Sequence, residues 1–262
     1  MSEPSVISGK KYRLTIDSSD SGANRYAIDS DAEIVTSSPA NAFDNLPATA
    51  ITTGDWGYVD HSFDFGFSPL LDYGDLPDLA NGTTGINDYE TYDSTGGPSH
   101  RIITGLFLGD TVDVDNDGFP HAEALGDDND GADDEDGVTI FAELNARPGG
   151  TIRLPISVTN TTGDTAYVEA WIDWNGDGDF DLINEVVADL KDNENGVFPT
   201  YLTIPIPTSA ITGSLVGFRI RLSNTDNMTP YGRIDSGEVE DYLLGIECEQ
   251  VCLPIEVIIK KE

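Results

Sequence analysis

The sequence has 262 residues, with 48 acids against 13 Lys and Arg, a formal net charge of -35. That balance leaves no basic patch for nucleic acid or an anionic membrane surface. No apolar run approaches the ~18 residues needed to span a bilayer as a helix. The acids divide into 33 Asp and 15 Glu; Asp is the short carboxylate of turns and tight oxygen cages. Hydrophobic residues at 38% and aromatics at 9% suffice for a core, which argues against a disordered chain. Folding at this charge is opposed by self-repulsion, so counter-cations are expected. The start, MSEPSVISGKKYRL, lacks the basic-then-apolar order of a secretion signal. Either a signal has been removed or the sequence is an excerpt of a longer polypeptide.

The predicted elements are β throughout. In chain order they are Lys10–Ile16, the aromatic run His61–Phe67, Thr151–Asn160, Ala166–Asp173, Leu215–Asn224 and Glu238–Ile246. Each alternates with period two or is rich in β-branched and aromatic residues, and Gly, Pro, Asn and Asp clusters separate them. In LVGFRIRL, Val216, Phe218, Ile220 and Leu222 face one way and Arg219 and Arg221 the other. No helix longer than two turns is expected. The fold class is all-β, an antiparallel β-sandwich with long calcium-binding loops. Three parts follow: a β-module over 1–68, a sandwich over 69–247 whose acidic segment 69–137 wraps it, and a tail over 248–262 with an apolar strand at Ile255–Ile259. The wrapping segment is expected to be ordered because it carries Tyr73, Tyr89, Tyr92, Leu106, Phe107 and Leu108.

Acidic groups punctuate this layout. LDYGDLPD offers Asp72, Asp75 and Asp78 around a turn. DTVDVDNDG places Asp113, Asp115 and Asp117 at alternate positions, and Asp127, Asp128, Asp130, Asp133, Asp134, Glu135 and Asp136 follow closely. The plain alternative is a solvated acidic loop. Interleaved glycines and the apolar anchors Val112, Leu125, Val138 and Ile140 favour a cation site. The strongest pattern is IDWNGDGDFDLINE, where oxygens recur at Asp173, Asn175, Asp177, Asp179 and Asp181 with glycines between. Calcium takes about 6–8 such oxygens. The spacing matches the first half of an EF-hand loop, but the twelfth position is Asn184 and Glu185 stands one further on. Strands also flank the loop where an EF-hand has helices. Glu185 is the candidate closing ligand. Finally GEVEDY brings Glu238, Glu240 and Asp241 to a strand, with Glu238 and Glu240 on one face, an arrangement that like charge disfavours without a cation. Two or more calcium ions are expected.

Other residues carry weaker signals. His61, His100 and His121 are dispersed and show no zinc spacing. No nucleophile motif occurs. Trp56, Trp171 and Trp174 could stack on sugars, although a core role suits Trp171 better. Cys248 and Cys252 are candidates for a short local disulfide or remain free thiols.

LDYGDLPD, GPSH, LGDTVDVDNDGFP, ALGDDNDGADDEDGV, AWIDWNGDGDF and GEVEDY, in that order from Leu70 to Ile246, resemble the GEVED-type module of large secreted bacterial surface proteins, especially those of the Bacteroidetes type. The resemblance implies a secreted β-sandwich with calcium sites, and it strengthens the metal reading of Asp173, Asn175, Asp177, Asp179 and Glu238. It supplies no activity. GKKYRLTID and VDHSFDFGF resemble the second half of a serine-aspartate-repeat B-type module whose first strands are missing here. Either the sequence is an excerpt, or a neighbouring chain supplies the missing strand, with Ile255–Ile259 the candidate donor.

The expectation is therefore a non-enzymatic, calcium-stabilised structural module of an extracellular adhesin or cell-surface filament. Its partners are calcium, neighbouring domains or copies of the same polymer, and a glycan or other cell-surface ligand, without nucleic acid or membrane insertion. The competing expectation is a calcium-dependent carbohydrate-binding module using Trp56 or Trp174.

Overall fold

A computed structural model describes residues 11–15, 26–28, 33–34, 47–52, 67–126, 134–140, 146–181, 185–192 and 198–247. The predicted positions Asp127, Asp128, Asp130, Asp133, Trp56, His61, Cys248, Cys252 and the tail strand lie outside them. The chain forms two compact units, one of Met1–Leu71 with Ile102–Thr104 and one of Asp72–Arg101 with Gly105–Glu262. Elements are all-β apart from a single 3-10 turn, Asp93–Thr95, among the described residues.

The first unit holds strands β1 (Lys11–Thr15), β2 (Tyr26–Ile28), β3 (Glu33–Ile34), β4 (Pro47–Thr52) and β5 (Phe67–Pro69). β4 lies between β1 and β3, antiparallel to both, and β2 pairs with β5. β1 falls within the predicted Lys10–Ile16 strand. Of the aromatic run His61–Phe67, Phe67 is described, as the first residue of β5, and 61–66 lie outside the described residues.

The second unit is built on a four-stranded antiparallel sheet. Its strands, in spatial order, are β12 (Val186–Lys191), β11 (Tyr167–Ile172), β14 (Leu215–Ser223) and β16 (Glu238–Gly245). Register fixes what each face carries. Val168, Ala170 and Ile172 stand opposite Leu222, Ile220 and Phe218, and the same β14 residues stand opposite Glu238, Glu240 and Tyr242. This apolar face meets two strand pairs. One is β9 (Thr151–Pro155) with β13 (Tyr201–Pro205), the other β8 (Leu106–Leu108) with β10 (Val158–Asn160). Their alternation buries Ile152, Leu154, Leu202 and Ile204 and exposes the residues between, as a half-buried antiparallel pair requires. Two of these strands, β12 and β13, carry sequence signals too weak to have been predicted.

The opposite face of the sheet carries Glu169, Trp171, Arg219, Arg221, Val239 and Asp241, and it too is buried. Alternating Arg and apolar residues ordinarily mark a solvent face; here the acidic segment covers it. Leu76, Tyr89 and Ala124 from that segment pack with Trp171, Phe180 and Met228 into one apolar cluster. Short strands β6 (Leu71–Tyr73), β7 (Ser99–Arg101) and β15 (Arg233–Ile234) form a small sheet in this layer, with β15 parallel to β7. Tyr73, Leu106 and Leu108, from the described part of that segment, are also buried. Leu125 departs from its anchoring role: it is exposed, because the neighbouring Gly126 rather than Leu125 is the residue held inward, by Asp75.

Gly237 makes the entry to β16. Its φ is +99°, and a Cβ there would stand 1.7 Å from the Leu222 carbonyl oxygen. Both conditions exclude a side chain. Gly237→Ala is expected to destabilise the second unit by more than about 2 kcal/mol, read from the shift of its urea midpoint.

Candidate functional site

The hairpin between β11 and β12 carries the strongest acidic pattern, and the strands that flank it are those the sequence predicts on its first side. Asp173 is buried at the loop's start. Its Oδ1 accepts from the N–H groups of Gly176 (2.6 Å) and Asp177 (3.3 Å), and its Oδ2 from Gly178 N–H (2.9 Å) and the Tyr89 hydroxyl (2.9 Å). The Tyr89 hydroxyl in turn accepts from Gly217 N–H in the sheet, at 2.7 Å. Asn175 and Asp177 make successive side-chain turns, accepting from Asp177 N–H and Asp179 N–H. Asp179 accepts from its neighbour Phe180 N–H and from the Tyr231 hydroxyl. Such turns are what Asn and Asp at alternate positions favour. Gly178 adds a close approach: a Cβ would lie 2.0 Å from the Gly85 carbonyl oxygen, and φ is +81°.

Glu185, placed one residue beyond the EF-hand register, closes the loop. Its carboxylate accepts from Trp174 N–H at 3.0 Å and Asp181 N–H at 2.6 Å, so it joins the end of the hairpin to its start. Burial pushes its carboxyl up to about 7, assisted by the charges of Asp173 and Asp177 and opposed by those two N–H donors.

A second acidic group forms around β16. Glu238 and Glu240 share the apolar face, as alternation predicts, and both are buried. Glu240 accepts from Gly137 N–H at 2.7 Å and from the Tyr242 hydroxyl at 2.9 Å. Burial raises its carboxyl to about 8, with Asp136 and Asp134 adding to the rise. Glu238 is pushed well above the carboxylate range by burial, then by Glu240 and Asp72. One Glu238 oxygen accepts from Leu108 N–H. The other, Oε1, has no hydrogen-bond partner among the described residues. A buried oxygen in that state is costly. Asp72 accepts from Val239 N–H at 2.6 Å, and Asp134 accepts from Asp113 N–H at 3.0 Å. The charges of Asp72 and Asp134 add to the rise at Glu238, and that of Asp134 to the rise at Glu240, so both carboxylates border this group.

The remaining predicted residues act as brackets along the wrapping segment. Asp115 accepts from Tyr73 N–H, Asp117 from Asp93 and Gly118 N–H, Asp75 from Gly126 N–H, and Asp136 from Asp110 N–H. Asp241 points to the other face of β16. It binds Arg219 through two bonds of 2.7 and 2.8 Å, and its Oδ2 also accepts from the N–H groups of Asp75 and Leu76. Among the described residues, no three His, Cys, Asp or Glu side chains are arranged to hold a metal ion as they stand. The reason is visible in the bonds just described: these carboxylates are turned toward backbone N–H groups.

Sequence reasoning missed the cationic layer. Arg221 is buried without a carboxylate hydrogen-bonded to it among the described residues. It donates instead to the carbonyls of Thr229, Tyr231, Gly232 and Ser99, and through Nε to Nε2 of His100 at 2.7 Å. His100 is therefore the tautomer that carries its proton on Nδ1 and donates it to the Ser236 carbonyl at 2.7 Å. Burial, reinforced by the Arg221 charge, lowers its pKa well below 6.5. Alternation placed both arginines opposite the core, but nothing local marked that face as covered. Trp174 and Trp171 are both buried, at 5% and 1% exposure, so neither displays a ring to a sugar.

Residues 167–245 match the family model of the GEVED domain. Searches of curated proteins and of solved structures each return no match. The matched span begins with β11 and ends with β16, so it contains the hairpin loop, both arginines and Gly237–Asp241.

Asp241→Asn would leave Arg219 buried with a neutral partner, at a cost of about 3–5 kcal/mol, measurable by urea denaturation. His100 supplies a pH dependence. The unfolded chain binds a proton at His100 below pH 6.5 and the folded chain does not, so stability falls as pH drops through that value. His100→Gln keeps an acceptor for Arg221 but cannot be protonated. The melting-temperature gap between the native protein and this variant is expected to narrow from pH 7.5 to pH 5; a constant gap would contradict the neutral assignment.

Proposed function

We propose that the protein is a non-enzymatic structural module of an extracellular adhesin or cell-surface filament, and that calcium completes its fold. The observation that carries this reading is the buried pair Glu238 and Glu240, side by side on an apolar face, with Glu238 Oε1 lacking a hydrogen-bond partner among the described residues. Two carboxyls in that position must either hold protons or face a cation. The surface context rests on the resemblance of the ordered motifs to secreted GEVED-type modules.

The residues present suit a hard oxygen-binding ion. Glu238, Glu240, Asp72 and Asp134 would hold one, and Asp173, Asn175, Asp177, Asp179, Asp181 and Glu185 another. Within the loop, Asn175, Asp177 and Asp179 are exposed and turn a single oxygen, Oδ1, onto loop N–H groups. Calcium bound there supplies the positive charge that the surrounding sequence lacks. The chain's own part is to hold the loop curled through its side-chain turns and to tie it to the sheet through Tyr89. Ion binding to the folded state alone adds stability of RT ln(1 + [L]/Kd). Neighbouring domains or copies of the same polymer are the partners this role implies, in an extracellular setting where free calcium is high.

At free calcium a thousand times Kd, each site adds about 4 kcal/mol. Removal of calcium by EDTA is therefore expected to lower the melting temperature by roughly 8–16 °C per site. Glu238→Gln should shrink that difference. An EDTA-treated protein that melts where the calcium-loaded one does would contradict the proposal.

A further inference from the structure

Asn followed by Gly occurs at Asn81–Gly82, Asn175–Gly176 and Asn195–Gly196, and the last pair lies outside the described residues. Such a pair is open to attack by the glycine nitrogen on the asparagine side-chain amide, because glycine has no side chain to shield that nitrogen. The surroundings of the two described pairs differ. We infer that Asn81 is a site of spontaneous covalent modification, deamidation through a cyclic imide, and that the fold withholds the same reaction from Asn175.

Asn81, Gly82 and Thr83 are all exposed, in a loop whose Leu79 and Ile86 are 71% and 78% exposed. Gly82 has a φ of +68°, and a Cβ there would meet nothing within 4 Å among the described residues, so no neighbour crowds the turn. Asn81 Oδ1 accepts from Thr83 N–H at 2.8 Å and from the Thr83 hydroxyl at 2.6 Å. In the reaction the Gly82 nitrogen gives its proton to water and bonds to Asn81 Cγ, and the carbonyl electron pair moves onto Oδ1. Both Thr83 donors stand on that oxygen and stabilise the charge it gains. The Cγ–Nδ2 bond then breaks, and Nδ2 leaves as ammonia with a proton taken back from water. Water opens the imide at either carbonyl, giving aspartate or isoaspartate. The sum is amide and water to carboxylate and ammonium, with no oxidant or reductant.

Asn175 is also exposed, but its neighbour is not available in the same way. Gly176 N–H donates to Asp173 Oδ1 at 2.6 Å, and Asp173 is itself buried and held by Gly178 N–H and the Tyr89 hydroxyl. The Gly176 nitrogen must give up a bond to a carboxylate before it can turn on Asn175, and such bonds are the stronger kind.

Conversion at Asn81 has a structural consequence. Asn81 Nδ2 donates to Asp88 Oδ2 at 3.1 Å, and Asp88 Oδ1 accepts from Leu79 N–H at 2.8 Å. Deamidation puts a carboxylate oxygen where that donor stood, so attraction becomes repulsion. Asp88 and Gly85 exchange two backbone bonds of 3.0 Å, and their carbonyls close on Gly178 of the β11–β12 hairpin, where a Cβ would stand 2.6 and 2.0 Å away. The added charge therefore loosens the seat of the acidic hairpin loop, and this chemistry does not rest on calcium.

Peptide mapping by mass spectrometry tests the assignment on the full chain, aged at neutral pH both folded and in denaturant. In denaturant the two asparagines are expected to convert at comparable rates. In the folded protein Asn81 should stay within about threefold of its denatured rate while Asn175 slows at least about tenfold, because conversion there waits for local opening. Thr83→Val keeps the N–H and removes the hydroxyl donor, so it should slow Asn81 in the folded protein and leave the denatured rate unchanged. Asn81→Asp, the product itself, should speed hydrogen exchange at Leu79 N–H. Equal slowing of both asparagines on folding would overturn the assignment, as would a folded-state rate at Asn81 that Thr83→Val does not alter. Exchange at Leu79 that is the same in Asn81→Asp would contradict the structural consequence.

Discussion

A polypeptide that crosses a protein surface without long strands must still find partners for its backbone N–H groups. In this protein, carboxylates supply them. Asp72, Asp75, Asp78, Asp115, Asp117, Asp136 and Asp241 each accept from N–H groups of the irregular segment or of the strand it covers. A hydrogen bond to an ionised group is stronger than a neutral one. That difference explains how a segment whose described strands are three residues long packs firmly enough to bury Tyr73, Leu76 and Tyr89.

The same solution creates the protein's electrostatic problem. Three of these brackets, Asp72, Asp75 and Asp241, are drawn away from water, and among the described residues two arginines are buried with them. Arg219 answers one carboxylate, Asp241, in a pair whose remaining bonds go to carbonyls and backbone N–H groups. Arg221 is held by carbonyls and a neutral histidine, so it fixes the loop Thr229–Gly232 without cancelling a neighbouring acid directly. On the other face of β16 no cation reaches Glu238 and Glu240 among the described residues, and their carboxyls are pushed toward the protonated form. One strand therefore separates a compensated face from an uncompensated one.

Much of this was legible in the sequence and some was not. The alternation of β11, β14 and β16 gave their extents and the opposite directions of Arg219 and Ile220. The spacing of Asp173, Asn175 and Asp177 reads as a tight oxygen-lined turn with Glu185 as its closing metal ligand; the structure shows these oxygens accepting from N–H groups, with Glu185 joined to Trp174 and Asp181. What escaped were relations between distant segments. Asp241 reads like Glu240 in the sequence, yet one meets an arginine and the other does not, because they lie on opposite faces with different layers above them. His100 is a lone histidine until β7 is set beside Arg221. β12 went unrecognised because VVADLK is a short edge strand whose pattern is only half-buried.

The proposal that calcium completes the fold is tested most directly by a crystal structure grown in millimolar calcium and measured with anomalous scattering. It predicts calcium peaks within about 2.3–2.6 Å of carboxylate oxygens at Glu238 and in the Asp173–Glu185 loop. Well-ordered carboxylates at both places without any such peak would contradict it.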